Sequence, residues 1–423
     1  MEKTPKKIED LLARAAAMRN MLRDAQPRTE RSGVSEEVYR SFVRAGFYRI
    51  LTPRKFGGFE LSQEDFYDLI IEIGRGCPDT AWWYALGAGH VVQLSSYYPA
   101  DVQKEVFAQA PDFSAPWSAN PHTVRATPEQ GGYLISGIWR FSSGVPHAPY
   151  FMGNIPNGVI PEFSSVNGNG DFEAVEQPSA TILVPKTDFK IIDDWGDLLG
   201  MKGSGSNSVE LTNVFVPHRM IAIYDTEPPH LSGTVGSDAH QNPLYGGRAA
   251  AFVTGSLAAI AVGIGRAAHD ELFDLLAQRN NRYEGNVPHS VTESFQRVLG
   301  RSAAWVEAAR GIVRHGAGLY GRYTREAMAG THAFDSERIH EICCVYKLAE
   351  EMVWDAVQDM VRATSTVSLR NGQRMQLYFR DIATLITRAQ NLDYRSVRLG
   401  RTILTSRGLP IELTRKREDY GTA

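Results

Sequence analysis

Apolar and polar positions alternate in two rhythms along this chain, and the rhythm changes twice. Ile8, Leu11, Leu12, Ala15, Met18 and Leu22 recur every three or four residues, the spacing of one buried helical face. Ser35 stands where a helix over EEVYRSFVRAGF needs an N-cap, and Glu36 and Glu37 suit its first turn. The stretch PRKFGG interrupts the pattern. Ser62 then caps a second such helix, SQEDFYDLIIEIGRGC. DTAWWYALGAGHVVQLSSYY is apolar on nearly every face, so it predicts a helix buried all round that carries His90 inward.

From about residue 112 the period falls to two. TVRATPEQGGYLISGIWRFSSG predicts two strands joined by a Gly-Gly turn. YFMGNI, SATILVP, FKIIDDW and SVELTNVFVP read as further short strands of a small barrel or sandwich. The Gly-, Asn- and Pro-rich run over 156–178 reads as a surface loop. From about residue 245 the helical period returns in four long segments, which predicts a bundle. The expected class is α+β and mostly helical. It divides into a helical domain over 1–111, a β domain over 112–235 and a helical bundle over 236–423.

Composition narrows this picture little. With 423 residues, 43% of them hydrophobic and 22% charged, the chain can bury a large core. A net charge of −3 gives no field that would draw nucleic acid or an anionic membrane. No apolar run is read as a membrane span, and the start is not read as a secretory signal. Cys77, Cys343 and Cys344 form no CxxC pair, and suit a reduced, cytoplasmic protein. GIGRAA at 263–268 matches a dinucleotide fingerprint but follows helix formers rather than a strand. Close helix packing is the better account of its glycines. His315, His332 and His340 lack metal-ligand spacing.

The order helices, strands, bundle, together with SVELTNVFVP, ESFQRVLGRSAAWVEAAR and YFRDIATLI, resembles the acyl-CoA dehydrogenase fold over essentially the whole chain. LTPRKFGGFELSQEDFYDLIIEI, DTAWWYALGAGH, FSSGVPHA and KGSGSNSVELTNVFVP are similar to the two-component (group D) flavin-dependent monooxygenases. That branch includes the oxygenase components acting on 4-hydroxyphenylacetate, secosteroid phenols and dibenzothiophene.

The resemblance implies a C4a-hydroperoxyflavin formed from reduced flavin and O2, oxygenating a small, aromatic substrate. The reduced flavin, FMN or alternatively FAD, comes from a separate flavin reductase, and the enzyme is a homotetramer. It implies that Ser143 and Ser142 meet the flavin, with Trp139 and Phe141 as apolar cover and Ser204 and Ser206 alongside. It places His90 on a phenolic oxygen and Ser118 near the substrate. Relatives carry a histidine on the last helix; here Thr387, Arg388, Gln390 and Asn391 stand there, and Arg388 is the candidate donor.

A dehydrogenase of this fold needs a carboxylate base. Its usual position holds Arg388 and Ala389, and residues 245–269 contain no Asp or Glu. Oxygenation is therefore favoured. An N-oxygenase of an amine or amino sugar, or an unconventional dehydrogenase, is the alternative.

Overall fold

The computed structural model describes residues 8–156, 158–160, 179–224, 234–277, 279–409 and 411. The loop predicted over 156–178 lies almost wholly outside them.

Six helices come first: α1 (Ile8–Ser32), α2 (Glu36–Ala45), α3 (Gln63–Gly76), α4 (Pro78–Ala88), α5 (Val91–Tyr97) and α6 (Ala100–Gln109). Ser35 caps α2, its Oγ accepting from the Val38 N–H. Ser62 and Asp65 exchange a capping box at the start of α3.

Eight strands follow: β1 (Trp117–Ser118), β2 (Asn120–Glu129), β3 (Gly132–Arg140), β4 (Tyr150–Ile155), β5 (Ser179–Pro185), β6 (Lys190–Ile192), β7 (Ser208–Pro217) and β8 (Ile221–Tyr224). They form two four-stranded sheets, ordered β1-β4-β5-β8 and β2-β3-β7-β6. The β2–β3 hairpin turns through Gly131, whose φ of +83° favours a residue without Cβ. Tyr133, Ile135, Trp139, Phe151, Ile182 and Val209 fill the layer between the sheets.

The chain then runs through α7 (Val235–His240), α8 (Ala249–Leu276), a hairpin of β9 (Asn280–Asn281) and β10 (Val287–Pro288), α9 (Glu293–Met328), α10 (Ser336–Thr364), α11 (Arg374–Ile386) and α12 (Leu392–Ser406). The helices of both ends share one continuous core, with α8 against α3, α9 and α10. By length and composition α8 is apolar enough to cross a membrane. Within the fold 83% of its apolar window is buried, as a core helix requires. Gly263 explains part of GIGRAA: a Cβ there would meet the Gly74 Cα at 2.9 Å, so α8 and α3 touch backbone to backbone.

The last predicted helix is two. α11 ends before Thr387, and Asn391 starts α12 by accepting from the Tyr394 N–H. Asn competes with the helix for its own backbone, so a helical period continues across a break. Arg388 therefore lies in the corner between two helices.

Candidate active site

Helix α4 organises the site. Trp82, Leu86 and His90 are spaced four apart, so they lie along one face, about 12 Å from end to end at 1.5 Å per residue. Trp82 and Leu86 are half-buried, and His90 is buried just past the helix end. At the Trp82 end, the turn after β3 crosses α4 closely. A Cβ on Gly144 would meet the Trp83 carbonyl at 2.7 Å and the Gly87 Cα at 3.5 Å, and its φ is +88°.

This crossing brings Ser143 to α4. Trp82 Nε1–H donates to Ser143 Oγ at 3.1 Å. Ser143 Oγ lies 2.7 Å from Ser206 Oγ, which lies 2.8 Å from Ser204 Oγ. A hydroxyl has one proton and two lone pairs. With one lone pair of Ser143 taken by the indole, its proton remains free to turn toward Ser206 or toward a ligand. The backbone N–H groups of Ser206 and Asn207 donate to no partner among the described residues. Phe141, left with 53% of its surface exposed and a φ of +60°, stands edge-on to Trp195 at 5.9 Å. Switchable hydroxyls, unused N–H groups and an exposed aromatic edge suit a planar, polar-edged heterocycle such as an isoalloxazine.

Several expected contacts are reassigned by their surroundings. Trp139 is fully buried between the sheets, its Nε1–H donating to the Asn154 carbonyl, so it is β core rather than cofactor cover. Ser142 is likewise fully buried; its N–H donates to the Asn207 carbonyl and its hydroxyl to the Trp139 carbonyl, which locks the turn. Ser118 donates to the Arg140 carbonyl at 2.6 Å and accepts from the Asn120 N–H, so its hydroxyl ties β1 to the end of β3. Ser204 is the sealed inner end of the hydroxyl chain.

The segment carrying Ser204 and Ser206 is sewn to the helices. Gly203 N–H donates to Asp79 of α4 at 3.1 Å, Met201 N–H to Asp381 of α11 at 2.8 Å, and Gly200 N–H to Thr384. Burial pushes the Asp381 carboxyl up to about 7. Asp79 is raised well above the ordinary carboxylate range by burial and then by the Asp381 charge.

His90 Nδ1 lies 2.8 Å from the Ala115 carbonyl, which fixes the proton on Nδ1 and leaves Nε2 as an acceptor. Burial pushes its pKa down to about 4, against weaker support from the Ala115 and Leu86 carbonyls. The ring stands edge-on to Trp117. Trp117 also packs with Gln93, Tyr98 and Met152 around a narrow apolar crevice that leaves no room for a water molecule. Gln93, one turn past His90, buries an Oε1 with no partner among the described residues.

Arg388 closes the opposite end. Its guanidinium lies 5.8 Å from the Trp82 ring centre, and Nη2 meets Glu350 Oε1 at 3.3 Å. Glu350 also accepts from Lys347 Nζ at 2.7 Å. A carboxylate, Glu350 of α10, stands one side chain beyond Arg388, away from both positions that a dehydrogenase base would take. Its oxygens face two cations and its side chain is 1% exposed. The other acids of this region and of α8 are held too: Asp79 and Asp381 on backbone N–H groups, Asp270 on Arg75 and Glu271 on Arg23. None of these is free to take a carbon-bound proton.

Residues 256–390 match the model of the acyl-CoA dehydrogenase C-terminal domain. The chain has the fold of the acyl-CoA dehydrogenase-like monooxygenases. The 3-HSA hydroxylase structure from Rhodococcus sp. RHA1 superimposes with a TM-score of 0.79 at 22% identity, covering 96% of this chain and 98% of that one. The XiaF structure from Streptomyces sp., in complex with FADH2 and glycerol, gives 0.81 at 20%, covering 96% and 97%. In sequence, the chain is 29% identical to the pigment production hydroxylase of Rhodococcus sp. (strain ATCC 21145) over 390 residues, 90% of this chain and 92% of that protein. It is 23% identical to the p-hydroxyphenylacetate 3-hydroxylase oxygenase component of Acinetobacter baumannii over 388 residues, covering 89% and 82%. The architecture is thus that of these solved structures, and the sequence is similar to the two named hydroxylases over 90% and 89% of the chain.

Proposed function

We propose that this protein is the oxygenase component of a two-component flavin-dependent monooxygenase acting on a small aromatic molecule. Reduced flavin, FMN or alternatively FAD, comes from a separate reductase, and the working form is a cytoplasmic homotetramer. The observation that carries the reading is the Ser143–Ser206 hydroxyl pair beside unused N–H groups, packed against the helix face that leads to a neutral histidine, with the buried carboxylates around it engaged.

When bound, reduced flavin supplies the electrons that activate O2 for transfer of one oxygen atom to the substrate. Ser143, Ser206 and the N–H groups of Ser206 and Asn207 hold the polar edge, and Phe141 and Trp195 cover the ring. Trp82 and Leu86 keep water from the α4 side. His90 Nε2 accepts the hydrogen bond of a substrate hydroxyl and draws its proton as charge builds on the ring.

The test is anaerobic titration with reduced FMN, then admission of O2 with a panel of phenols and indoles. Tight binding of reduced FMN, and hydroxylated product in place of hydrogen peroxide, are expected. Tightly held oxidised FAD that an acyl-CoA bleaches would overturn the reading in favour of dehydrogenation.

A further inference from the structure

Helices α1, α3, α8 and α9 leave a cavity of about 300 Å3 between them, and it shares no lining residue with the candidate active site. Its charged lining is Asp68 and Glu72 of α3, Arg266 of α8 and Arg310 of α9. Asp68 and Arg310 are fully engaged. Asp68 meets Arg310 at 3.2 Å and Arg314 at 2.7 Å, and Arg310 also reaches Glu307 at 3.2 Å. Glu72 is engaged by half. Arg19 donates to its Oε1, through Nε at 2.9 Å and through Nη2, and Oε2 has no partner among the described residues. Arg266 makes no hydrogen bond or ion pair among the described residues.

Arg266 is half-buried, and desolvation pulls it below the ordinary arginine value. The charges of Arg75 and Arg310 act in the same direction, and Glu72 and Glu307 oppose them. A free cation and a half-used carboxylate thus line one cavity without pairing with each other. A carboxylate on Arg266 would match its flat fork and offset the lost hydration. The two acids of α3 work against a ligand that is only negative. A molecule with a carboxylate and an ammonium close together satisfies both walls. The remaining lining is apolar: Leu12 of α1, half-buried, with Ala13 and Ala16 exposed at the mouth. The two alanines leave room for a side chain, and the volume is that of a small-molecule site at the lower end of the range.

We propose that this cavity binds a free α-amino acid with an apolar side chain. Arg266 takes the carboxylate, Glu72 Oε2 takes the ammonium, and the α1 residues take the side chain. The inference is independent of the monooxygenase reading. Glu72 lies two residues before Gly74 and Arg266 three after Gly263, the pair at which α3 and α8 touch. α3 leads through Cys77 into α4. A bound amino acid therefore braces the joint from which the active-site helix departs.

The experiment is a calorimetric titration of the full chain with L-phenylalanine and L-leucine. N-acetyl-L-phenylalanine, which lacks the ammonium, and L-phenylalaninamide, which lacks the carboxylate, are the comparison probes. Both amino acids should bind at one saturable site. Each blocked form should bind about tenfold more weakly, having lost one charge-assisted bond. Arg266→Gln should weaken the amino acids about tenfold and leave phenylalaninamide nearly unchanged. It removes a desolvated, unpaired cation, so the urea midpoint should not fall. Ala16→Trp fills the mouth while keeping every charge, and should abolish binding of both amino acids. Saturating L-phenylalanine should raise the melting temperature of the unaltered protein and not that of Ala16→Trp.

Absence of saturable binding up to about 10 mM overturns the proposal, because the cavity then holds water or buffer ions only. N-acetyl-L-phenylalanine binding as tightly as L-phenylalanine overturns it in favour of a plain anion site. Affinities that neither variant changes place the amino acid elsewhere on the molecule. A lower urea midpoint for Arg266→Gln would show that Arg266 holds the fold rather than a ligand.

Discussion

The two walls that meet at Trp82 are built from opposite materials. The β-domain wall offers hydroxyls and backbone N–H groups: Ser143, Ser206 and the 206–207 amides. The bundle wall offers fixed charges: Lys347, Glu350 and Arg388. Hydroxyls can exchange donor and acceptor roles, so that wall tolerates a ligand that changes its own protonation. Buried charges cannot adapt, and each must be matched by position. Damage to the two walls should therefore differ in kind.

The largest effect is expected at Glu350. Glu350→Ala leaves Lys347 and Arg388 without their shared carboxylate and should cost about 3–5 kcal/mol, read as a lower urea midpoint. A loss under 1 kcal/mol would mean the corner is well hydrated and the contrast between the walls is overdrawn.

His90 gives the next effect. Its folded pKa is depressed from 6.5 to about 4. The unfolded chain thus takes the proton first, and stability falls as pH drops from about 6.5 toward 4, by about 3 kcal/mol in all. His90→Gln should flatten that slope in a series of melting temperatures against pH, and should lower product yield more than flavin binding. The carboxyls holding the 200–203 segment act in the opposite sense. Asp381 has a raised folded pKa, so its contribution is complete below the ordinary carboxylate range and is lost as pH rises through about 7. Asp381→Asn keeps an acceptor for Met201 N–H and should reduce the loss of stability between about pH 4 and 7.

On the hydroxyl wall, Ser143→Ala strands the Trp82 N–H and should cost about 1–2 kcal/mol, with reduced FMN bound about tenfold more weakly. An unchanged dissociation constant would remove Ser143 from the cofactor wall. Phe141→Ala should barely alter stability, within about 0.5 kcal/mol because the ring is exposed, while still weakening flavin binding.

Periodicity made the layout legible. The caps at Ser35 and Ser62, the turn at Gly131 and the first three long bundle segments were written in local pattern. The charged wall was not. Lys347 and Glu350 are three apart on α10, a spacing that usually marks a solvated pair, and only tertiary packing shows that this stripe faces inward. Trp139 and Phe141 seemed equivalent because both flank the serines. Pleating turns Trp139 into the sandwich, and the left-handed backbone at Phe141 throws the next ring out. Trp82 escaped notice among neighbouring aromatics, although its spacing of eight from His90 was available.

The anchoring of Gly200, Met201 and Gly203 to α4 and α11 sets which parts of the molecule travel together. Although these residues sit among strands in sequence, they are bolted to the helical body. The sandwich can be remodelled, loosened or tilted at its outer edges while Ser204 and Ser206 keep their distance from Trp82 and Arg388. Variation in the outer loops of the sheets is thereby uncoupled from the chemistry, and a lineage is free to alter that surface without retuning its catalytic centre.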